Sequence, residues 1–489
     1  MTTLLLLVAL ATPLVVAARA GDTAEVRALL AGGADVNAPA ADGSTALHWA
    51  VYADDETLVG NLLDAGATAN VANDLAITPL HLAAANGNDR IVGALLDRGA
   101  PADVASETGV TPLMEAARVG SAAVIRLLTA RGAPLDAREA GRGQTALMWA
   151  AARGGPEAVR ALIEAGADIR ARSTARRLTV MLDRGPSRTV KTSMQDAHTT
   201  DEGGLTALLF AARAGDVASV AHLLAAGADP NDAAVNGMSA LTLACFAGRG
   251  DVARLLLEKG ANPDAAGAGY TALHLAALRS DLTMVRALIA RGANVNARIT
   301  NGSPVRRFGS QWALPRTFIG ATPLVVAAAY LETPIMQALL EAGADPSIGL
   351  EDGTAPLHLA AGAEVEREAR PVDLARFHIV DSDAPVVPRP EPALVEATRL
   401  LLDARADVDQ ATATGDTPLH AAAGAGVTAV IQLLAERGAT LDAANHAGVT
   451  PLARTLPQPA EPGRSRGSAG SPDAEALLRR LGAGKAPQD

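Results

Sequence analysis

The sequence predicts an all-helical repeat array: about twelve units of some 33 residues, each with two short helices that cannot bury their faces alone. Three observations predict it. Threonine followed by Pro or Ala and then Leu recurs at Thr12, Thr45, Thr78, Thr111, Thr145, Thr206, Thr271, Thr322, Thr417 and Thr450. Ser239 and Ala355 hold the same place in "SAL" and "APL". The steps are 33, 33, 33, 34, 61, 33, 32, 51, 33, 62 and 33, so one unit recurs with three long interruptions. Second, eleven of the twelve units keep an alanine five residues after the threonine, as in Ala17, Ala50 and Ala83. Third, the 489 residues include only three Trp, three Tyr and five Phe. That is too little aromatic volume for several separate large cores, and small side chains suit helices packed backbone-close in thin layers.

Each element of the unit has a physical reason. The threonine suits an N-cap, its hydroxyl accepting from an unpaired N–H of the first turn. Proline follows at the first helical position, where no N–H is needed. The alanine lets neighbouring helices approach. A second helix carries apolar residues at i, i+3 and i+4, as in Val92, Leu95 and Leu96. Glycine stands twenty-one residues after the threonine, as at Gly33, Gly66 and Gly99, where a left-handed C-cap prefers it. "ADVNA" and a turn such as Asp42-Gly43 or Asn236-Gly237 lead to the next threonine.

This unit resembles the ankyrin repeat, whose 33-residue period and T-P-L-H-x-A signature it shares. Residues 78–100, "TPLHLAAANGNDRIVGALLDRGA", follow the family pattern throughout. The resemblance implies an all-α ankyrin-repeat solenoid of about twelve helix–turn–helix repeats with β-hairpin-like loops. Four insertions interrupt it. Residues 1–11 are an apolar leader, and repeats 1–5 occupy 12–171. A basic insertion (172–202) precedes repeats 6–8 (203–297), and a basic and aromatic one (298–320) follows them. Repeats 9–11 and the start of repeat 12 fill 321–456, with a Pro-rich insertion at 363–392. A Pro/Gly/Ser linker (457–472) leads to a capping helix and tail (473–489). Arg405 takes the place of the usual C-cap glycine, so repeat 10 is the least regular.

The leader "MTTLLLLVALA" has a seven-residue apolar run from Leu4 to Leu10. Ala9-Leu10-Ala11 and Ala18-Arg19-Ala20 have the small-x-small form of a signal-peptidase site. Eleven residues are short for a signal peptide, and no basic n-region is present. Two readings stand. In one, the chain is exported to the periplasm or secreted, with the true start upstream of Met1. In the other, the run is an apolar cap on repeat one of a cytoplasmic protein. "TALHWAVYADD" and "GQTALMWAAARG" resemble exported bacterial ankyrin-repeat proteins, which favours the first reading. No later apolar run approaches the roughly 18 residues of a membrane span.

Catalytic and cofactor signatures are absent from the sequence. His48, His81, His274, His358 and His420 stand three residues after the threonine or its substitute. Repeats stack about 10 Å apart, whereas metal ligands converge within about 2 Å of one ion. The row therefore predicts no metal site, and the resemblance implies hydrogen bonds within and between repeat loops. Cys245 permits no intrachain disulfide and reads as a buried small residue. No P-loop, G-x-S-x-G or H-E-x-x-H occurs. Trp49 and Trp149 read as packing residues. The sequence therefore predicts no enzyme and no cofactor.

A net charge of −11 disfavours a phosphate-neutralising surface, so nucleic acid is not an expected partner. The resemblance places partner contacts on the concave end of the first helices and on the loops. There stand Tyr52, Asn86, Arg118, Arg153, Arg213, Phe246, Arg279 and Tyr330; the second insertion adds Arg306, Arg307 and Trp312. Arg, Tyr and Trp are enriched in binding hot spots. The expectation is a monomeric, non-catalytic scaffold binding a protein with an acidic segment. The alternatives are a spacer without a ligand, or chemistry housed in the insertions. The basic loops themselves have two readings: a site for an acidic partner, or loops folded back on the acidic turns.

Overall fold

The computed structural model describes residues 12–181, 197–301, 318–364, 389–457 and 470–484. Among these, twenty-four α-helices run in twelve pairs, one pair per unit. The chain divides into two compact units. One holds residues 1–176 and 201–235, the other residues 177–200 and 236–489.

In the first unit the first helices of the six repeats are Pro13–Ala20, Ala46–Tyr52, Pro79–Asn86, Pro112–Val119, Ala146–Arg153 and Ala207–Ala214. Each packs on the next, including Ala146–Arg153 on Ala207–Ala214, so the stack passes the first insertion without a gap. The repeated alanine explains the closeness: Ala50, Ala83, Ala116, Ala150 and Ala211 are fully buried. In the second unit, Ala272–Leu278 packs on Pro323–Ala329 past the second insertion, and Pro356–Ala361 packs on Pro418–Ala425 past the third. Within each unit the second helices pack on one another too, as Asp89–Asp97 on Ala122–Ala130 and Leu282–Ala290 on Thr333–Glu341. The last, Pro472–Leu481, buries Ala474 and Leu478 against Ile431 and Leu434. Its Arg479 faces out and pairs with Glu475 at 2.9 Å, as a terminal unit with one wet face requires.

The turns are tied in register by backbone bonds. Asp74 N–H donates to Asp42 O (3.0 Å), Glu107 N–H to Leu75 O (3.2 Å) and Ala140 N–H to Thr108 O (2.8 Å). The "GAD" aspartates shape the other loop locally: Asp35 accepts from Asn37 N–H, and Asp168 from Arg170 N–H. The residue two further on then bridges repeats, Asn37 accepting from Thr68 N–H at 2.7 Å. Arg405 adopts φ +64° where the equivalent glycines do the same, Gly66 at +91° and Gly438 at +89°.

One element departs from an all-helical reading. Inside the first insertion, Arg176–Met181 (β1) and Ala197–Glu202 (β2) pair as a two-stranded sheet. Thr-Val and Thr-Thr pairs in these segments suit strands rather than helices.

Candidate partner-binding surface

The open face of the first helices is built from two rows. Residues four after the threonine form one, and those seven and eight after it form the other, one helical turn further on. In the first unit the second row is accessible. Tyr52 is 66% exposed, and Arg153 and Arg213 are exposed. Tyr52 meets Trp49 edge-on, with ring centroids 5.9 Å apart. Arg213 stands over the Phe210 ring at 5.2 Å. Arg118 is half-buried and pairs with Glu115 at 2.6 Å, so its charge is compensated within the repeat. Among the described residues, no ion pair or hydrogen bond engages the Arg153 side chain.

Arg19 belongs to this row and was not among the residues singled out from the sequence. It stands seven after Thr12, where repeats four and six carry Arg118 and Arg213. It is exposed and lies over the Trp49 ring at 4.7 Å. The signal is legible in the register of unit one with the rest, since Arg19 stands where Arg118 and Arg213 do.

Other candidates have structural duties. Asn86 Nδ2 donates to Val51 O at 2.7 Å, capping the preceding first helix. Arg279 does the same for Phe246 O at 3.1 Å, and is half-buried against Gly248. Phe246 is half-buried. Tyr330 corrects the sequence reading most clearly. It is 6% exposed and stacks on Phe318 at 6.3 Å, with 10° between the rings. Phe318, from the end of the second insertion, is fully buried, so the apolar ring found an apolar partner inside the chain. Arg306, Arg307 and Trp312 lie outside the described residues.

The histidine row has a defined role. His48 Nδ1 accepts from Thr45 N–H at 3.1 Å and therefore carries no proton. The Thr45 hydroxyl, 3.0 Å away, then donates to the same nitrogen. Nε2–H donates to Ile77 O of the next repeat at 3.1 Å. His81, His274 and His420 repeat this arrangement toward Val110, Ala321 and Val449. The threonine hydroxyl is thus also a donor here, a role beyond the acceptor expected from the sequence. Where histidine is missing the hydroxyl still accepts: Thr111 from Met114 N–H (3.3 Å), Thr145 from Met148 N–H (3.4 Å) and Thr322 from Val325 N–H (3.4 Å). That bond keeps the first turn capped in units that lack the ring's bond to the next repeat. Burial pushes the His48, His81 and His358 imidazoles below their ordinary range, and takes His274 down to about 4. Burial likewise pushes the Cys245 thiol up to about 12, which suppresses the nucleophilic thiolate.

The arginines at the roots of the long loops are also engaged. Arg138, Arg172 and Arg298 each stand twenty-seven residues after the threonine, where ordinary repeats have Ala72, Ala105, Ala233 or Ala266. They mark the three inter-repeat connections that are longer than standard. Each donates to two equivalent carbonyls: Arg138 to Gly143 (3.0 Å) and Arg172 (2.5 Å), Arg172 to Gly204 (2.8 Å) and Ala233 (2.9 Å), and Arg298 to Gly320 and Gly349 (both 3.0 Å). Arg172 also pairs with Asp232. These root arginines are thus spent on backbone carbonyls at the bases of the connections. Arg389 closes the third insertion similarly, donating to Ala363 O (2.7 Å) and Leu359 O at the end of a first helix.

Among the described residues, no group of three or more His, Cys, Asp or Glu could hold a metal ion, and no helix is long and apolar enough to cross a membrane. The description "Ankyrin repeats (3 copies)" matches residues 6–73, 55–139, 80–173, 178–267 and 208–299, and "Ankyrin repeat" matches 414–446. Neurogenic locus notch homolog protein 1 of Mus musculus is 32% identical over 140 residues, 27% of this chain and 6% of that protein. The Homo sapiens protein matches at the same identity over 27% of this chain and 5% of its own length. The chain thus spans only about one-twentieth of the length of these relatives. The crystal structure of the human ASB11 ankyrin repeat domain is 26% identical, with a TM-score of 0.41, covering 52% of this chain and all of that one. With the period, the paired helices and more than half of the chain matched, the protein belongs to the ankyrin-repeat family.

Proposed function

We propose that the chain is a non-catalytic protein-interaction scaffold whose open first-helix face, in repeats 1–6, takes an acidic segment of another protein. One observation carries this reading: Arg153 and Arg213 are exposed on that face of a strongly acidic chain. A stack of rigid helix pairs presents them without further ordering, so little conformational entropy is lost on association. The histidine row, the cysteine and the root arginines are all engaged in holding the structure, which supports this face as the candidate site. The partner is a protein rather than nucleic acid, and the scaffold works as a monomer.

Affinity capture from a native lysate tests this, comparing the wild type with Arg153→Glu/Arg213→Glu. A specific partner released by the charge reversal supports the scaffold. Retention of every captured protein by the reversed variant removes the acidic-segment reading, and absence of any specific partner favours the spacer.

For location, we propose export to a bacterial envelope. Cleavage after Ala11 would preserve the Pro13–Ala20 helix, which packs on Ala46–Tyr52; cleavage after Ala20 would remove it. N-terminal sequencing of the native protein decides: an intact Met1 on cytoplasmic protein ends the export reading.

A further inference from the structure

We infer that Asn236 is a site of spontaneous covalent modification. The Gly237 amide attacks its side chain, and the products are aspartate and isoaspartate at the tip of the turn that enters repeat 7.

Three Asn-Gly pairs occur in the chain: Asn86-Gly87, Asn236-Gly237 and Asn301-Gly302. Glycine after asparagine presents an amide nitrogen that no Cβ shields. The glycine of the last pair lies outside the described residues. The other two pairs differ in every group the reaction uses. Asn86 ends a first helix. Its Nδ2 donates to Val51 O at 2.7 Å, and the Gly87 N–H donates to Ala84 O at 3.1 Å, so leaving group and nucleophile are both tied. Asn236 is exposed, and among the described residues nothing accepts from its Nδ2. Gly43, Gly109 and Gly269, the equivalents of Gly237, donate within their turns at 3.0, 2.8 and 2.8 Å, and Gly237 lacks that bond. The Asn236 Oδ1 accepts from the Met238 N–H at 3.2 Å. That donor is aimed where negative charge develops when Cγ is attacked.

The step needs only water. The Gly237 nitrogen loses its proton to solvent base and bonds to Asn236 Cγ. The Cγ–Nδ2 bond breaks, and the amide nitrogen takes a proton and leaves as ammonia. A five-membered succinimide results, a ring closure favoured by proximity. Water then opens it. Addition at Cγ restores the original main chain and gives aspartate. Addition at the main-chain carbonyl of residue 236 reroutes the chain through Cγ and gives isoaspartate. Nothing is oxidised or reduced.

The two products fit differently. Aspartate is accommodated: Asp42, at the same place in the turn entering repeat 2, accepts from Ser44 N–H at 3.0 Å as Asn236 does from Met238. Isoaspartate adds a methylene to the main chain beside Gly237, where there is no room. A Cβ on Gly237 would collide with the Gly267 carbonyl, and one on Gly267 would stand 2.9 Å from Gly237 O. Isoaspartate therefore parts the turns that enter repeats 7 and 8.

The test ages the full chain at pH 7.5 and follows each asparagine by peptide mass spectrometry, with isoaspartate read by enzymatic methyl labelling. In the folded chain Asn236 should convert at least about ten-fold faster than Asn86, whose two bonds must first be given up. In urea the two rates should converge. Hydrogen exchange over residues 264–272 should be faster in the aged chain, whereas fresh Asn236→Asp should match the fresh wild type. An intact Asn236, or equal rates at the two asparagines in the folded chain, overturns the site. Isoaspartate without faster exchange, or the same acceleration in fresh Asn236→Asp, overturns the parting of the turns.

Discussion

Replacing His274 by Met should make the second unit less stable at neutral pH and less sensitive to acid. His274 is fully buried, with Nδ1 accepting from Thr271 N–H at 3.2 Å and Nε2 donating to Ala297 O and Ala321 O at 3.1 and 3.2 Å. Its folded-state pKa of about 4 lies below the ordinary value of 6.5. The unfolded chain therefore takes up a proton first as pH falls. The stability that the neutral ring contributes is complete above pH 6.5 and is lost progressively down to about pH 4. At 1.36 kcal/mol per pKa unit the full loss is about 3 kcal/mol, of which about 2 kcal/mol has gone by pH 5. Methionine, which repeats four and five already carry at this place, removes the titration. It leaves the Thr271 hydroxyl able to cap the first turn, as Thr111 does. Urea unfolding followed by far-UV circular dichroism at pH 7.5 and pH 5 measures the effect in both proteins. The difference between them should shrink by about 2 kcal/mol at the lower pH, carboxylate titration being common to both. A difference that stays constant would refute the buried, neutral assignment.

Three further outcomes follow from the same geometry. Arg405→Gly, at φ +64°, should raise stability by about 0.5–1 kcal/mol, since only glycine holds that backbone without a Cβ penalty; a lower urea midpoint would contradict this. Glu391 Oε1 accepts from Ala429 N–H at 3.0 Å, at the start of a helix whose own N-cap, Val427, supplies no acceptor. Glu391→Ala should cost about 1 kcal/mol, and an unchanged midpoint would deny this borrowed cap. Arg172→Ala should speed hydrogen exchange at the paired amides of Ser173 and Leu205 while leaving repeats 1–3 unchanged; equal protection in both proteins would show that the clamp is dispensable.

The repeat, its helix pairs and its turns were legible in the sequence because each is a local matter. Threonine, proline, alanine and glycine at fixed offsets dictate caps, entry, close approach and left-handed exits within one unit. A unit that recurs twelve times averages away single departures such as Ala355 or Arg405. The candidate surface was only half legible. Position in the unit located Tyr52, Arg153 and Arg213 correctly at the ends of first helices. It could not tell which of their equivalents would be consumed by a neighbour. Asn86 and Arg279 reach a carbonyl about one repeat away, and Tyr330 is covered by a ring from an insertion. The tertiary structure alone decided those fates, and the bond from each histidine to the next repeat as well. Such choices depend on which donor, acceptor or ring a different repeat brings within hydrogen-bond or van der Waals reach. Sequence determines what each unit offers; stacking determines what remains open to a partner.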